Sequence, residues 1–387
     1  MPFYTYQGKV PSKRHTLFKN DDGRIYYEEL VSRKGFSSMY SNYYHLYRPT
    51  KIKKVGSLKK IELQHAAKKH RHRHIFTSKI QNFGDILSSR TPMFFNNDVI
   101  ICVAAVNESM DYFYRNGMGD ELMYIQSGSG KFLSNLGNLE CRPGDYIVVP
   151  RGIIWQIVPH KTLKILVIDS AGPIETPIRY RNRFGQLLEH SPFCERDIKT
   201  PVLQEPKDES GEFLIRTKTV SGIQEYFYAH HPFDVVGWDG YYFPWSFNID
   251  DFEPIVGSIH QPPPVHQTFQ APGLVVCSFV PRLFDFHPDS IPAPYPHSNV
   301  DSDEIIYYSR GEFMSRQGIQ SESITHHPMG LPHGPQPGKY KNSIGKERTD
   351  EMAVMIDTFK PLKITESARS IDDSGYPLSW MDKYTFL

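Results

Sequence analysis

Three residues in the C-terminal half stand out for the chemistry their types allow: His297, Glu304 and His333. Two neutral imidazoles and a carboxylate on one face, with coordination positions left open, suit a non-haem Fe(II) that must also take a substrate and O2. A lone His or Glu would more simply be a polar residue at a strand end. What sets these three apart is an earlier segment that resembles theirs but lacks both histidines. Asp120-Glu121-Leu122-Met123-Tyr124 leads to Gly128, and Asp303-Glu304-Ile305-Ile306-Tyr307 leads to Gly311. Downstream, Pro150-Arg151-Gly152-Ile153-Ile154-Trp155 matches Pro328-Met329-Gly330-Leu331-Pro332-His333. Two ordered matches predict a duplicated unit. In the first copy the closing position is Trp155, and Tyr112-Phe113-Tyr114-Arg115-Asn116 before Glu121 holds no His, so that copy cannot assemble two imidazoles. Asp303 is the rival carboxylate, but the repeat aligns Glu304 with Glu121.

The elements that must position these residues read as strands. From about Asn97 to Ala171, short apolar runs such as Val99–Val106 and Tyr146–Val149 are broken by Gly and Pro, which is the spacing of an all-β sandwich or barrel. A second β-rich region runs from about Gly237 to Phe359. With 23 Tyr and 24 Phe beside 30 Pro and 27 Gly, the composition favours strands joined by turns over helical bundles. The expected organisation is an N-terminal β-rich region over 1–96, a first unit over 97–171, a connecting region over 172–236, a metal-binding unit over 237–363 and a surface tail over 364–387. Within the first region, Lys51 to His74 is basic and compatible with a helix, and His70-Arg71-His72-Arg73-His74 reads as a solvated charged face.

Composition narrows the function classes. Lys and Arg (44) balance Asp and Glu (43), for a net charge of +1. No global field therefore favours nucleic acid or an anionic membrane. The four cysteines include no C-x-x-C pair, so neither a zinc knuckle nor a redox motif is supported. Met1 is followed by Pro, Phe and Tyr rather than a secretory pattern, and no run of 18 apolar residues occurs. A soluble cytoplasmic protein with reduced thiols is expected.

A Glu followed seven residues later by Gly, then P-x-G-x-x-H some way downstream, resembles the paired motifs of the cupins. That resemblance implies an all-β fold of two cupin jelly rolls in one chain (a bicupin) with N-terminal and C-terminal extensions. It also implies a metal held by histidines, the Glu of the first motif and the final His of the second. More narrowly, Pro294-Tyr295-Pro296-His297-Ser298-Asn299, Arg310-Gly311 and Leu331-Pro332-His333-Gly334-Pro335 look like the homogentisate 1,2-dioxygenase family. So do Lys13-Arg14-His15, Tyr26-Tyr27-Glu28-Glu29-Leu30 and Phe233-Asp234-Val235-Val236-Gly237-Trp238, so the similarity covers nearly the whole chain. The family opens the ring of a hydroquinone bearing a carboxymethyl group, in tyrosine and phenylalanine breakdown. The resemblance implies Fe(II) as cofactor, a small aromatic substrate and O2 as partners, and a homo-oligomer, trimeric or hexameric.

Carried over residue by residue, His297, Glu304 and His333 match the iron ligands. His327 matches a pocket His near the metal, as a group that orients, donates protons or meets substrate. Tyr295 matches an aromatic position beside the first ligand. Two positions depart from the pattern. The family's W-H-G reads Trp238-Asp239-Gly240, leaving Asp239 as a weaker base, with His260 and His266 as candidate replacements. The Tyr two residues after R-G, which holds the substrate carboxylate in the family, is Phe313 here, so the carboxylate must find another donor or the ring must differ. Two other classes use the same fold: a metal-dependent isomerase that needs no O2, and a non-catalytic bicupin that binds a small ligand. Tyr295, Phe284, Phe286 and Phe313 favour a flat aromatic guest over a sugar.

Overall fold

Aromatic and β-branched residues dominate the apolar runs, and strands accordingly make up most of the regular structure, with helices no longer than five residues among the described ones. The computed structural model describes residues 3–66 and 69–381. The strands used below are β1 (Arg73–Ile75), β2 (Asp120–Ser134), β3 (Asp145–Val149), β4 (Trp155–Ser170), β5 (Asp303–Arg310), β6 (Ser323–His327) and β7 (Met352–Thr358).

The duplication is visible in strand pairing. In the first unit β2 lies between β3 and β4, with Glu121 opposite Val149 on one side and Asp169 on the other. In the second unit β5 lies between β6 and β7, with Glu304 opposite His327 and Asp357. The register is the same, so the two motif pairs occupy corresponding places. The glycines of the repeat have a physical reason. Gly128 and Gly311 have φ of +90° and +89°, and a Cβ there would collide with the carbonyl oxygens of Thr162 and Asp350 respectively. Only glycine allows both the left-handed backbone and the close approach.

The acidic residue before each Glu is a loop anchor. Asp120 accepts hydrogen bonds from the Arg151 and Ile174 backbone amides, and Asp303 accepts from those of Met329 and Leu362. Each pins the P-x-G turn of its own copy, and both carboxylate oxygens of Asp303 are taken up in doing so, with His326 on one of them. The two units share one apolar core running from Leu122 and Tyr146 to Ile305 and Val354. Buried hydroxyls cross between them: Tyr124 meets Ser309 at 2.7 Å and Tyr146 meets Ser278 at 2.9 Å, so neither is left unpaired.

Around these units the structure departs from expectation in three places. The stretch from Lys51 is not helical. Ile52–Lys59 forms a strand on the hairpin of Ser210–Thr219 and Gly222–His230, which the connecting region supplies to the large sheet. The basic run is not a solvated face either. Arg73 and His74 are buried in β1, which extends the second unit's sheet beside β6. Asp372 makes this possible by accepting from both Arg71 and Arg73, a neutralising partner some three hundred residues away that no local pattern reveals. Lys68 of that run lies outside the described residues.

The tail is not a surface extension over its described part. Lys363–Ile364 pairs with Thr91–Phe95, and Tyr376 is 3% exposed. Residues 382–387 of the tail lie outside the described part.

Candidate metal centre

His297 and His333 come from two loops tied together backbone to backbone, each amide donating to the other's carbonyl at 2.8 Å. Each ring places Nδ1 against a carbonyl oxygen two residues before it: His297 to Tyr295 at 3.1 Å and His333 to Leu331 at 3.2 Å. A carbonyl can only accept, so Nδ1 carries a proton in each ring, which leaves Nε2 as the atom turned inward and able to bind a metal. Both Nε2 atoms face the Glu304 carboxylate, His297 at 3.8 Å from Oε2 and His333 at 3.4 Å from Oε1. One ligand atom from each of the three residues fits within a span of 4.8 Å.

These residues fit a divalent metal. His333 Nε2 is buried without a hydrogen-bond partner, a costly arrangement for a protein atom unless something else takes its lone pair. Burial opposes the charge of Glu304, but the imidazoles of His297, His327 and His333 around it hold its carboxyl well below the usual carboxylate range. An ionised carboxylate and two neutral imidazoles are the donor set of the non-haem iron sites built from two histidines and one acid.

A model of the family described as "Homogentisate 1,2-dioxygenase N-terminal" matches residues 74–249. Over 98% of this chain and 99% of its own length, a Saccharolobus solfataricus protein named "Putative dioxygenase" is 44% identical. The homogentisate 1,2-dioxygenase of Nitrobacter hamburgensis is 28% identical over 68% of this chain and 61% of its own. The chain belongs to the homogentisate 1,2-dioxygenase family. It is an enzyme of the dioxygenase type, in a family of ring-cleaving enzymes. The chain spans about three fifths of the length of the curated homogentisate dioxygenases it matches, 61% for the Nitrobacter enzyme. Among solved structures, a cupin 2 conserved barrel domain protein from Leptotrichia buccalis aligns over 79% of this chain and 100% of its own at 12% identity, with a TM-score of 0.36.

A cavity of about 230 Å³ opens beside the triad and is lined by His297, Glu304, Phe284, Phe313, Tyr308 and Arg316, among others. The family resemblance pointed to further residues, and the structure sorts them. His260 and His266 both line the cavity. His260 is half exposed, 3.8 Å from Asp285 and edge-on to Tyr295. His266 is buried with Nδ1 unpartnered; burial first, then Arg282 and His260, lowers its pKa to about 3, so it is neutral.

Phe313 forms part of the wall, edge-on to Tyr308. Tyr295, 50% exposed beside His260 and His297, and Phe286, 71% exposed, are not part of the lining. Asp239 is elsewhere: it sits in a four-stranded sheet opposite Tyr6 and Asn42, accepting from the Tyr4 hydroxyl. The W-H-G position is therefore structural in this chain.

His327 is also not where a substrate contact would be. It is fully buried behind Glu304, with Nδ1 2.7 Å from Oε1 and Nε2 3.1 Å from the Tyr376 hydroxyl. Burial holds its pKa well below that of free imidazole. Neutral His327 thus donates Nδ1–H to the carboxylate and accepts from Tyr376, fixing one Glu304 oxygen.

Four neighbours escaped sequence reasoning. Asp357 lines the cavity across the strand from Glu304; burial, reinforced by the Glu304 charge, pushes it up to about 8. A signal existed, because Ile356-Asp357-Thr358 repeats Ile168-Asp169-Ser170 of the first copy. Arg316 reaches the cavity from the loop between β5 and β6. His72 packs edge-on against His327 and His333, with ring centroids at 5.4 and 6.0 Å. Trp380 closes the group by donating to the Gly334 carbonyl at 2.9 Å.

Proposed function

We propose that the chain holds one Fe(II) through His297, Glu304 and His333 and opens the ring of homogentisate, or a closely related hydroquinone, with O2. The observation that carries this reading is the pair of Nε2 atoms, turned inward as backbone carbonyls hold Nδ1 and converging on one carboxylate at the wall of an aromatic-lined cavity. The metal would supply the one-electron chemistry that lets O2 react with a closed-shell ring.

The protein residues do the rest. Phe313, Phe284 and Tyr308 form a cavity wall suited to a flat ring. His260, half exposed at the cavity, is the imidazole that can take the phenolic proton as the substrate binds; His266, whose pKa burial lowers to about 3, is the poorer base of the two. Asp357, whose carboxyl is pushed up by burial and the Glu304 charge, lines the same cavity and is placed to return a proton as the ring opens. His327 and Tyr376 hold Glu304 still and touch neither ring nor oxygen.

This reading puts the protein in tyrosine and phenylalanine breakdown in the cytoplasm, as a trimer or hexamer. Among the described residues no helix is long and apolar enough to cross a membrane.

The test is metal analysis and O2 uptake on anaerobically Fe(II)-loaded protein across hydroquinones and catechols. About one iron per chain and stoichiometric O2 uptake with homogentisate are expected. His333→Ala should lose the iron, while Trp155→Ala should keep it at some cost in stability. Two irons per chain, or full iron in His333→Ala, would refute the site. An iron-loaded protein inert towards every ring would instead favour an isomerase or a ligand-binding protein.

A further inference from the structure

Arg316 is an unusual group to find beside a metal centre. It is 6% exposed, yet among the described residues no carboxylate oxygen lies within 4.0 Å of it. Its Nη1 donates to the backbone carbonyls of Ser315 and Gly334, its plane packs against the Trp380 ring at 5.6 Å, and its Nε is buried with no partner at all. A buried guanidinium stays charged, so leaving it without a counter-ion is costly unless an anion arrives to share the site.

The other charged groups of the cavity are accounted for differently. Arg282 is 3.3 Å from Glu351, and His260 is 3.8 Å from Asp285. Glu304 is turned towards three imidazoles, and Asp357 lies across the strand from Glu304 rather than against Arg316. Of the cations lining the cavity, Arg316 is the one with no carboxylate in direct contact, with only the Tyr376 hydroxyl and the more distant Glu304 charge acting on it.

Phe313, three residues before Arg316, stands in the same wall edge-on to Tyr308 and offers no hydrogen-bonding group of its own. Phe313 and Arg316 lie on one loop and line one cavity. We propose that Arg316 is the residue that selects the substrate, by pairing with a carboxylate on the side chain of the bound ring. The substrate class is then an aromatic carboxylate whose acid group stands off the ring, and unsubstituted hydroquinones and catechols are poor ligands. A metal dication held by one carboxylate and two neutral imidazoles carries net charge +1, and Arg316 raises the cavity to +2. A ring bound as phenolate with a carboxylate brings −2, which balances it. The inference rests on the ring-binding reading above and adds the specificity element to it.

The experiment is anaerobic calorimetric titration of metal-loaded and metal-free protein with three rings: homogentisate, its neutral carboxamide and methylhydroquinone. Wild-type protein should bind homogentisate about ten- to a hundredfold more tightly than the other two, as befits a hydrogen-bonded charge pair. Arg316→Met, which keeps an apolar stem against Trp380, should erase that preference while moving methylhydroquinone binding less than about threefold. Arg316→Lys should restore part of it, since a point charge replaces a fork.

Equal loss for all three rings in Arg316→Met would show that Arg316 only props the Gly334 carbonyl, and would overturn the inference. A wild-type protein that binds the carboxylate, the carboxamide and methylhydroquinone equally would overturn it too, while leaving ring binding intact. Wild-type protein that binds none of them overturns both the inference and the function on which it rests. If Arg316→Met does not fold, the wild-type comparison can still refute the inference, and a reduced but not abolished preference in Arg316→Lys is the result that supports it.

Discussion

Replacing His327 tests whether this histidine acts on the substrate or on the metal ligand. In the structure it bridges Glu304 and the Tyr376 hydroxyl, at 2.7 and 3.1 Å, with no exposure to solvent. His327→Ala would strip one hydrogen bond from a buried carboxylate and leave the Tyr376 hydroxyl unpaired. Each group left unsatisfied costs about 1–3 kcal/mol, so the metal-free protein should lose roughly 2–6 kcal/mol of stability. Glu304 would also be free to rotate, and losing an outer partner of a metal ligand weakens metal binding by about ten- to a hundredfold. His327→Asn should recover most of the metal affinity, because an Asn amide can stand where Nδ1–H stood, but not the contact to Tyr376. The assay is Fe(II) titration with a competing chelator, paired with thermal unfolding of the metal-free proteins. Full metal affinity in His327→Ala together with lost ring cleavage would refute this reasoning and return His327 to the role of proton donor or substrate contact.

Two further outcomes follow from the geometry. Glu304→Gln should lose metal while folding normally. Asp303→Asn should do the reverse, lowering the melting temperature because Asp303 anchors the Met329 and Leu362 amides and His326. Metal loss confined to Asp303→Asn would show the ligand assignment to be off by one residue. In the N-terminal sheet, burial alone would lower the pKa of His45, but hydrogen bonds to Asp234 and Glu29 outweigh it and raise it to about 9. A raised imidazole stabilises the fold fully below its unfolded value near 6.5 and loses that contribution as pH climbs through about 9, up to roughly 3 kcal/mol. Melting temperature should therefore fall between about pH 6.5 and 9.5 in wild type and stay nearly flat there in His45→Asn; equal slopes would refute the assignment.

The strand content, the duplication and the three candidate ligands were legible because each has a local cause. Aromatic and β-branched runs make strands, Gly128 and Gly311 mark the only backbone that fits, and the histidines stand at fixed distances from a repeated Glu. What was illegible depends on partners far away in the chain. The run from His70 to His74 looks solvated until Asp372 is placed against its arginines. The tail looks dispensable until Tyr376 meets His327 and Trp380 meets Gly334. Asp239 was misread for a different reason. A three-residue motif carries no information about which sheet it belongs to, and here that sheet is the N-terminal one.

The same fold twice over, with one candidate metal site among the described residues, shows how little separates a candidate metal ligand from a structural acid. Glu121 occupies the place of Glu304 in register and is just as buried, but its oxygen meets the Arg90 guanidinium at 2.6 Å and the Asn116 amide at 3.3 Å. Asp169, in the place of Asp357, is likewise taken by Lys218 and Asn116. A permanent cation already sits where a metal would have to be, and Trp155 fills the position from which His333 reaches in the other copy. The first unit therefore spends its buried acids on fixed charges and becomes scaffold. The second surrounds the equivalent carboxylate with imidazoles, whose charge can be withheld, and leaves Asp357 Oδ1 and His333 Nε2 without partners. Those unpaired buried atoms cost stability in the empty protein, a cost that a bound metal and substrate would offset.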